Sequence, residues 1–244
     1  MSDGEAARRG IRPHYDATKV TGAEKWAQKR RLADAMRLVI ERLVPSDAPE
    51  DELRRAAEGL ERYADALRAH PRLKRAVGHA ESANAGDVGA FFDQSPLIGL
   101  ANPLAPPILV GQTGPRSAAA TVIFGSAYEG PPGSVHGGFV AAAFDEVLGY
   151  VQSLSGKSGF TGTLTVRYRN PTPLHEELRI ECELVRVEGR KIFAAGRLSA
   201  ASVGLCAESE AVFVAVDEAR VAPLLARRAA YEASQSPPSD PSAD

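Results

Sequence analysis

Residues Gly133–Gly149 read GSVHGGFVAAAFDEVLG: a histidine and two glycines, then a nearly unbroken apolar run with one acid pair, Asp145–Glu146, inside it. A segment that is apolar on almost every side reads as a buried helix. A carboxylate in such a helix is costly unless it is hydrogen-bonded, paired or neutral. Gly138, Ala141, Ala142, Asp145 and Gly149 recur at three- and four-residue steps and so share one helical face. Phe139, Val140, Phe144, Val147, Leu148 and Val151 cover most of the rest. An acid on a stripe of glycine and alanine has room above it for a substrate or a neighbouring backbone. Its plainer role is a hydrogen bond to backbone within a closely packed helix.

The start of the helix carries complementary chemistry. Pro131, Pro132 and Gly133 force a turn, and His136-Gly137-Gly138 leads into the helix. The first N–H groups of a helix have no internal partner and lie at the positive end of its dipole. Glycine removes the side chain that would keep a ligand away from them. Gly137 and Gly138 are therefore candidate donors to a carbonyl that becomes tetrahedral. His136 either contacts the substrate or fixes the turn. From Gly137 to Asp145 the helix rises about 12 Å, at roughly 1.5 Å per residue. One small reacting carbonyl cannot meet both ends. If both act on it, they come from two copies related by a two-fold axis.

After the helix the period changes from 3.6 to 2. Leu164, Val166 and Tyr168 alternate with Thr163, Thr165, Arg167 and Arg169, and Leu178, Ile180, Cys182 and Leu184 alternate with Arg179, Glu181 and Glu183. Turns at Glu188-Gly189-Arg190 and Ser202-Val203-Gly204 separate the strands expected at 191–200 and 205–216. Pro107–Gln112 and Ser117–Gly125 are two more strand candidates upstream. One long helix followed by hairpin-linked strands predicts an α+β fold, an antiparallel sheet with the helix against one face.

The strings YEGPPGSVHGGFVAAAFDEVLG (128–149) and FTGTLTVRYRNPTPL (160–174) resemble the hotdog-fold acyl-CoA thioesterases, nearest to their phenylacetate-pathway and carboxyl-terminal-modulator-like branch. That branch has His-Gly-Gly with an acid nine residues after the histidine, here His136-Gly137-Gly138 and Asp145. Thr161, sixteen residues past Asp145, falls where members carry a Thr or Ser. The resemblance covers about Pro96 to Val216. It implies a long helix wrapped by a curved antiparallel sheet, a homodimer or homotetramer, and active sites at the subunit interface. It further implies thioester hydrolysis of an acyl-CoA. Asp145 would act as general base or nucleophile, Thr161 would hold the water or the carboxylate, and coenzyme A would enter only as part of the substrate. Arg167, Arg169, Arg190 and Lys191 are candidates for the coenzyme A phosphates, or else solvated strand-edge charges. Some relatives place an Asn, Gln or His shortly before the motif histidine. Gly130–Val135 lacks one, which leaves that role to His136, Ser134 or no residue. The alternatives within this resemblance are an enoyl-CoA hydratase and a non-catalytic acyl-CoA-binding regulator.

The remaining sequence bounds the partners. The 244 residues carry a formal net charge of −2, with 25% charged, which predicts no nucleic-acid or anionic-membrane partner. Arg30-Arg31 and Arg54-Arg55 are offset by neighbouring acids, so no basic face suits DNA. No apolar run is long enough for a membrane span, and MSDGEAARRG lacks a signal-peptide core, which predicts a cytoplasmic protein. Cys182 and Cys206 lack metal-ligand spacing and are expected as buried thiols, with no metal site. Thr21–Val44 and Pro49–Ala69 are amphipathic helices. Trp26, Ala33, Met36, Ile40 and Leu43 line the first, and Leu53, Ala57, Leu60, Ala64 and Leu67 line the second. The expected divisions are a disordered start (1–18), a helical hairpin (19–75), a connector (76–105) that caps an acyl pocket, the main domain (106–218) and a tail (219–244) that ends in disorder. His14, His70, His79 and His175 are expected on the surface.

Overall fold

The computed structural model describes residues 23–71, 93–157 and 159–216, together with 222–224, 226, 227, 230, 231 and 234. The start at 1–18, most of the connector and His14 and His79 lie outside the described residues. The described positions between 222 and 234 are helical.

Six strands form one antiparallel sheet: β1 (Leu109–Gly114), β2 (Ser117–Ile123), β3 (Gly159–Tyr168), β4 (Glu177–Glu188), β5 (Lys191–Ala200) and β6 (Gly204–Ala215). Their order across the sheet is β1-β2-β4-β5-β6-β3, so β3 is an edge strand. Gly189 and Gly204 take positive φ, 58° and 79°, at the two turns expected there. The long helix α3 (Gly137–Ser153) lies against one face and touches β2 to β6. This is the helix-in-sheet hotdog arrangement that the sequence resemblance implies.

Register explains which side chains meet the helix. Ala120 pairs with Ile180, Ile180 with Leu198 and Leu198 with Ala207, and all four are buried under α3. Phe144 is fully buried in this layer, worth about 1.5–3 kcal/mol of transfer free energy. A Cβ on Gly196 would run into the Cys182 sulfur and stand 3.4 Å from the Phe144 ring, so the glycine leaves room for Cys182 in this layer. Cys182 and Cys206 are free and buried, as expected.

The two N-terminal helices behave differently. α1 (Ala23–Leu43) buries Trp26 and Ala33 against the main body. Arg30 donates through Nε and Nη2 to both oxygens of Asp93, at 2.7 and 2.8 Å. Arg37 donates to the carbonyls of Leu100 and Asn102. Residues 93–105, expected as connector, in fact carry core side chains: Ile98, Ala101 and Ala105 are buried. α2 (Glu50–Arg68) has no buried residue, and Leu53, Leu60 and Leu67 stay exposed.

Candidate active site

The turn before α3 is tied from several directions. Gly133 has φ 70° and donates its N–H to Glu129 Oε1 at 2.7 Å. Gly130 lies against the His136 backbone, where a Cβ would approach its Cα to 2.7 Å. The His136 N–H donates to the Tyr128 carbonyl. His136 is the N-cap of α3: its Nδ1 accepts the Gly138 N–H at 3.0 Å. An accepting Nδ1 places the proton of the neutral ring on Nε2. This bond narrows the two expected oxyanion donors. Gly138 N–H is already engaged, whereas Gly137 N–H has no partner among the described residues. His136 thus performs the turn-fixing role with one nitrogen and keeps the other exposed.

Tyr168 completes this end, and the sequence reading did not single it out. Its hydroxyl donates to the Gly137 carbonyl at 2.7 Å, and its ring lies over Gly137. The available signal was a lone hydroxyl-bearing aromatic on the inward phase of β3. Ser134, the other helper candidate, is buried, with its hydroxyl directed to the Pro132 carbonyl.

Two turns along the helix, Thr161 Oγ1 donates to Asp145 Oδ1 at 2.8 Å. Strict alternation from Leu164, Val166 and Tyr168 would put Thr161 on the outer face with Thr163. A bulge prevents this: Thr161 pairs with Phe213 and Thr163 with Val212, leaving Gly162 as the extra residue. The phase flips at Gly162, and Thr161 turns inward to the helix. Bulges beside functional sites commonly re-aim a side chain in this way. The small-residue stripe is the face of α3 that the sheet leaves open. Gly138 and Asp145 are exposed, and Ala141, Ala142 and Gly149 are half-buried. The expectation of a carboxylate inside a buried helix is therefore corrected for the single chain, because the sheet wraps only the bulky side of α3.

The basic candidates do not converge. Arg167 and Arg169 project from the outer face, paired with Glu210 at 3.2 Å and Glu208 at 2.9 Å. The Arg169 hydrogen bond holds Glu208 below the usual carboxylate range. They border an outer cleft of about 770 Å³ that Arg179 and Arg197 also line. Arg190 donates to the Ala215 carbonyl, and Lys191 starts β5 in register with Val214, at the Thr161 end of the sheet. His70 and His175 are exposed, as expected. Among the described residues no three His, Cys, Asp or Glu side chains group as a metal site would require, and no helix is long and apolar enough to cross a membrane.

A family model described as the thioesterase superfamily matches residues 132–207. The chain is 38% identical over 69 residues to acyl-coenzyme A thioesterase THEM5 of Homo sapiens, covering 28% of this chain and 28% of that protein. It is 32% identical over 90 residues to acyl-coenzyme A thioesterase THEM4 of Mus musculus, covering 36% of this chain and 39% of that one. The matches thus span well under half the length of these relatives. A crystal structure of a thioesterase superfamily protein superposes with a TM-score of 0.69 at 36% identity, covering 76% of this chain and 94% of that chain.

Proposed function

From the premise that this chain belongs to the thioesterase superfamily, we propose that it hydrolyses an acyl-CoA thioester to free coenzyme A and a carboxylic acid. The observation that carries this reading is the Asp145 carboxylate, exposed on the small-residue stripe and held at one oxygen by Thr161. That bond orients the carboxylate and leaves Oδ2 to take a proton, the requirement of a general base. Water attacks the thioester carbon while its proton passes to Asp145. The new oxyanion meets the Gly137 N–H at the positive end of a helix. Collapse breaks the C–S bond, and the departing sulfur takes up a proton as free coenzyme A.

Asp145 and Gly137 of one helix are about 12 Å apart, so the reaction uses Asp145 of one chain and Gly137 of another. Two features support a homodimer. β3 is an edge strand of ten residues, and the stripe of α3 beside it is uncovered. An open edge with unpaired N–H and C=O groups is a template for a second strand. A two-fold axis there brings the start of one helix towards Asp145 of the other. Arg190 and Lys191 at the Thr161 end, and Arg167 and Arg169 at the Tyr168 end, remain the candidates for the coenzyme A phosphates. The arginines of β3 must first part from Glu208 and Glu210. Thiol release measured over acyl-CoAs of increasing chain length tests the reading. Turnover of at least one is expected. Tight binding of acyl-CoA with no release of thiol over the whole series would favour a regulator instead.

A further inference from the structure

Glu41 lies in the last turn of α1, beside the negative end of the helix dipole, where an acid is unfavourable. Its carboxylate is spent on a segment 85 residues away. Oε2 accepts the Ser126 N–H and Oε1 the Ser126 hydroxyl, both at 2.8 Å. Ser126 opens the 3-10 turn Ser126–Tyr128, whose own N-cap Gly125 supplies no side-chain bond. A Cβ on Gly125 would run into that carboxylate, so the glycine admits it. The turn ends at Tyr128, whose carbonyl accepts the His136 N–H at 2.8 Å and whose ring packs edge-on to Phe139, 4.8 Å between centroids. Charge-assisted bonds are the stronger kind, and Glu41 directs two of them at one turn.

We propose that Glu41 is a positioning residue for the His136–Gly138 start of α3, which makes α1 part of the active-site framework rather than an appendage. The proposal rests on the thioesterase reading for its kinetic consequence. The route is continuous: the Glu41 carboxylate fixes Ser126, the turn fixes the Tyr128 carbonyl, and that carbonyl fixes His136, which caps α3 and orients Gly137. A sub-ångström shift of an oxyanion donor affects rate more than substrate binding.

The test uses the full chain with Glu41→Gln, Glu41→Ala and Ser126→Ala, assayed well below the melting temperature. Gln keeps one acceptor oxygen and Ala keeps none. The expected order of kcat is wild type, Glu41→Gln, Glu41→Ala, with a fall of about tenfold at the last and KM little changed. Ser126→Ala leaves the Arg30–Asp93 and Arg37 anchors of α1 intact and serves if Glu41→Ala fails to fold. Hydrogen–deuterium exchange supplies a readout independent of activity. Glu41→Gln is expected to speed exchange over 126–138 and not in β4 or β5. A folded Glu41→Ala chain with wild-type kcat, or a Ser126→Ala chain that exchanges faster over 126–138 yet keeps wild-type kcat, overturns the proposal, because the contact is then only structural. A wild-type chain inactive on every acyl-CoA refutes the thioesterase reading instead. Unchanged exchange over 126–138 then overturns the positioning role on its own terms.

Discussion

At the start of α3, His136, Gly137 and Gly138 are held by Tyr128, Tyr168 and one another, whereas two turns on, the Asp145 carboxylate takes one hydrogen bond from the described residues, on an open face. The first region is the proposed oxyanion donor. Its peptide groups are oriented before any ligand arrives, which is where electrostatic stabilisation gains most. The second, as the proposed base, must reach water and substrate, and the Thr161 bond orients it without enclosing it. On the proposed reading, the contrast teaches that a single chain carries two half-sites of different character, each needing the other from a second copy.

The comparison breaks most decisively at Asp145. Asp145→Asn keeps the shape and the Thr161 bond but removes the proposed base, and kcat should fall by about 10³-fold with unchanged circular dichroism. Near-wild-type turnover in the folded variant would transfer the chemistry to another group. Next in size is Arg30→Ala, which probes the framework rather than the site. Asp93 has a side chain only 2% exposed, and burial raises its pKa although Arg30 opposes this. Leaving that carboxylate unpaired should cost about 3 kcal/mol at neutral pH in denaturant unfolding. A raised folded pKa means that the folded state binds the proton more tightly. The loss should therefore shrink as pH falls and Asp93 protonates, and a loss independent of pH would contradict this.

Thr161→Ala should be milder, about a tenfold fall in kcat, because it leaves the base but not its orientation. A fall equal to that of Asp145→Asn would give Thr161 a direct part in the reaction. The smallest effect is expected on the outer face. Arg169→Ala leaves Glu208 with Arg197 alone, at 3.3 Å, and its folded pKa is depressed chiefly by the Arg169 hydrogen bond. A depressed carboxylate stabilises above its unfolded pKa, and that contribution is lost as pH falls through the folded value. The variant should melt slightly lower at pH 7 and match wild type in acid, with kcat retained if Arg169 serves only this pair.

Much of this was legible in the chain. The stripe Gly138–Ala141–Ala142–Asp145–Gly149 marked the open face of α3, and the alternations of β4 and β5 marked the faces of the sheet. Thr161 was expected beside Asp145 by resemblance, while its own strand alternation pointed outward. The bulge at Gly162 reconciles the two, and a one-residue change of phase leaves no trace in composition. The engagement of Gly138 N–H by His136 depends on a rotamer, and Tyr168 on the end of a strand meeting the start of a helix. The N-terminal helices show the same limit. Both amphipathic patterns predict helices, yet α1 is anchored through Arg30, Arg37 and Glu41 to residues more than sixty positions away. α2, with the cleaner apolar stripe, has no buried residue at all. Periodicity identifies a face and is silent on what covers it.

The proposed shared site is tested most directly by mixing two chains each expected to be inactive, Asp145→Asn and Gly137→Val, the second pressing a side chain against Tyr168 at the helix start. In a heterodimer one site combines both lesions and the other combines both intact halves. Random pairing should then restore roughly a quarter of wild-type kcat from two inactive parents. No recovery in heterodimers verified by mass spectrometry would mean that each site is built within one chain.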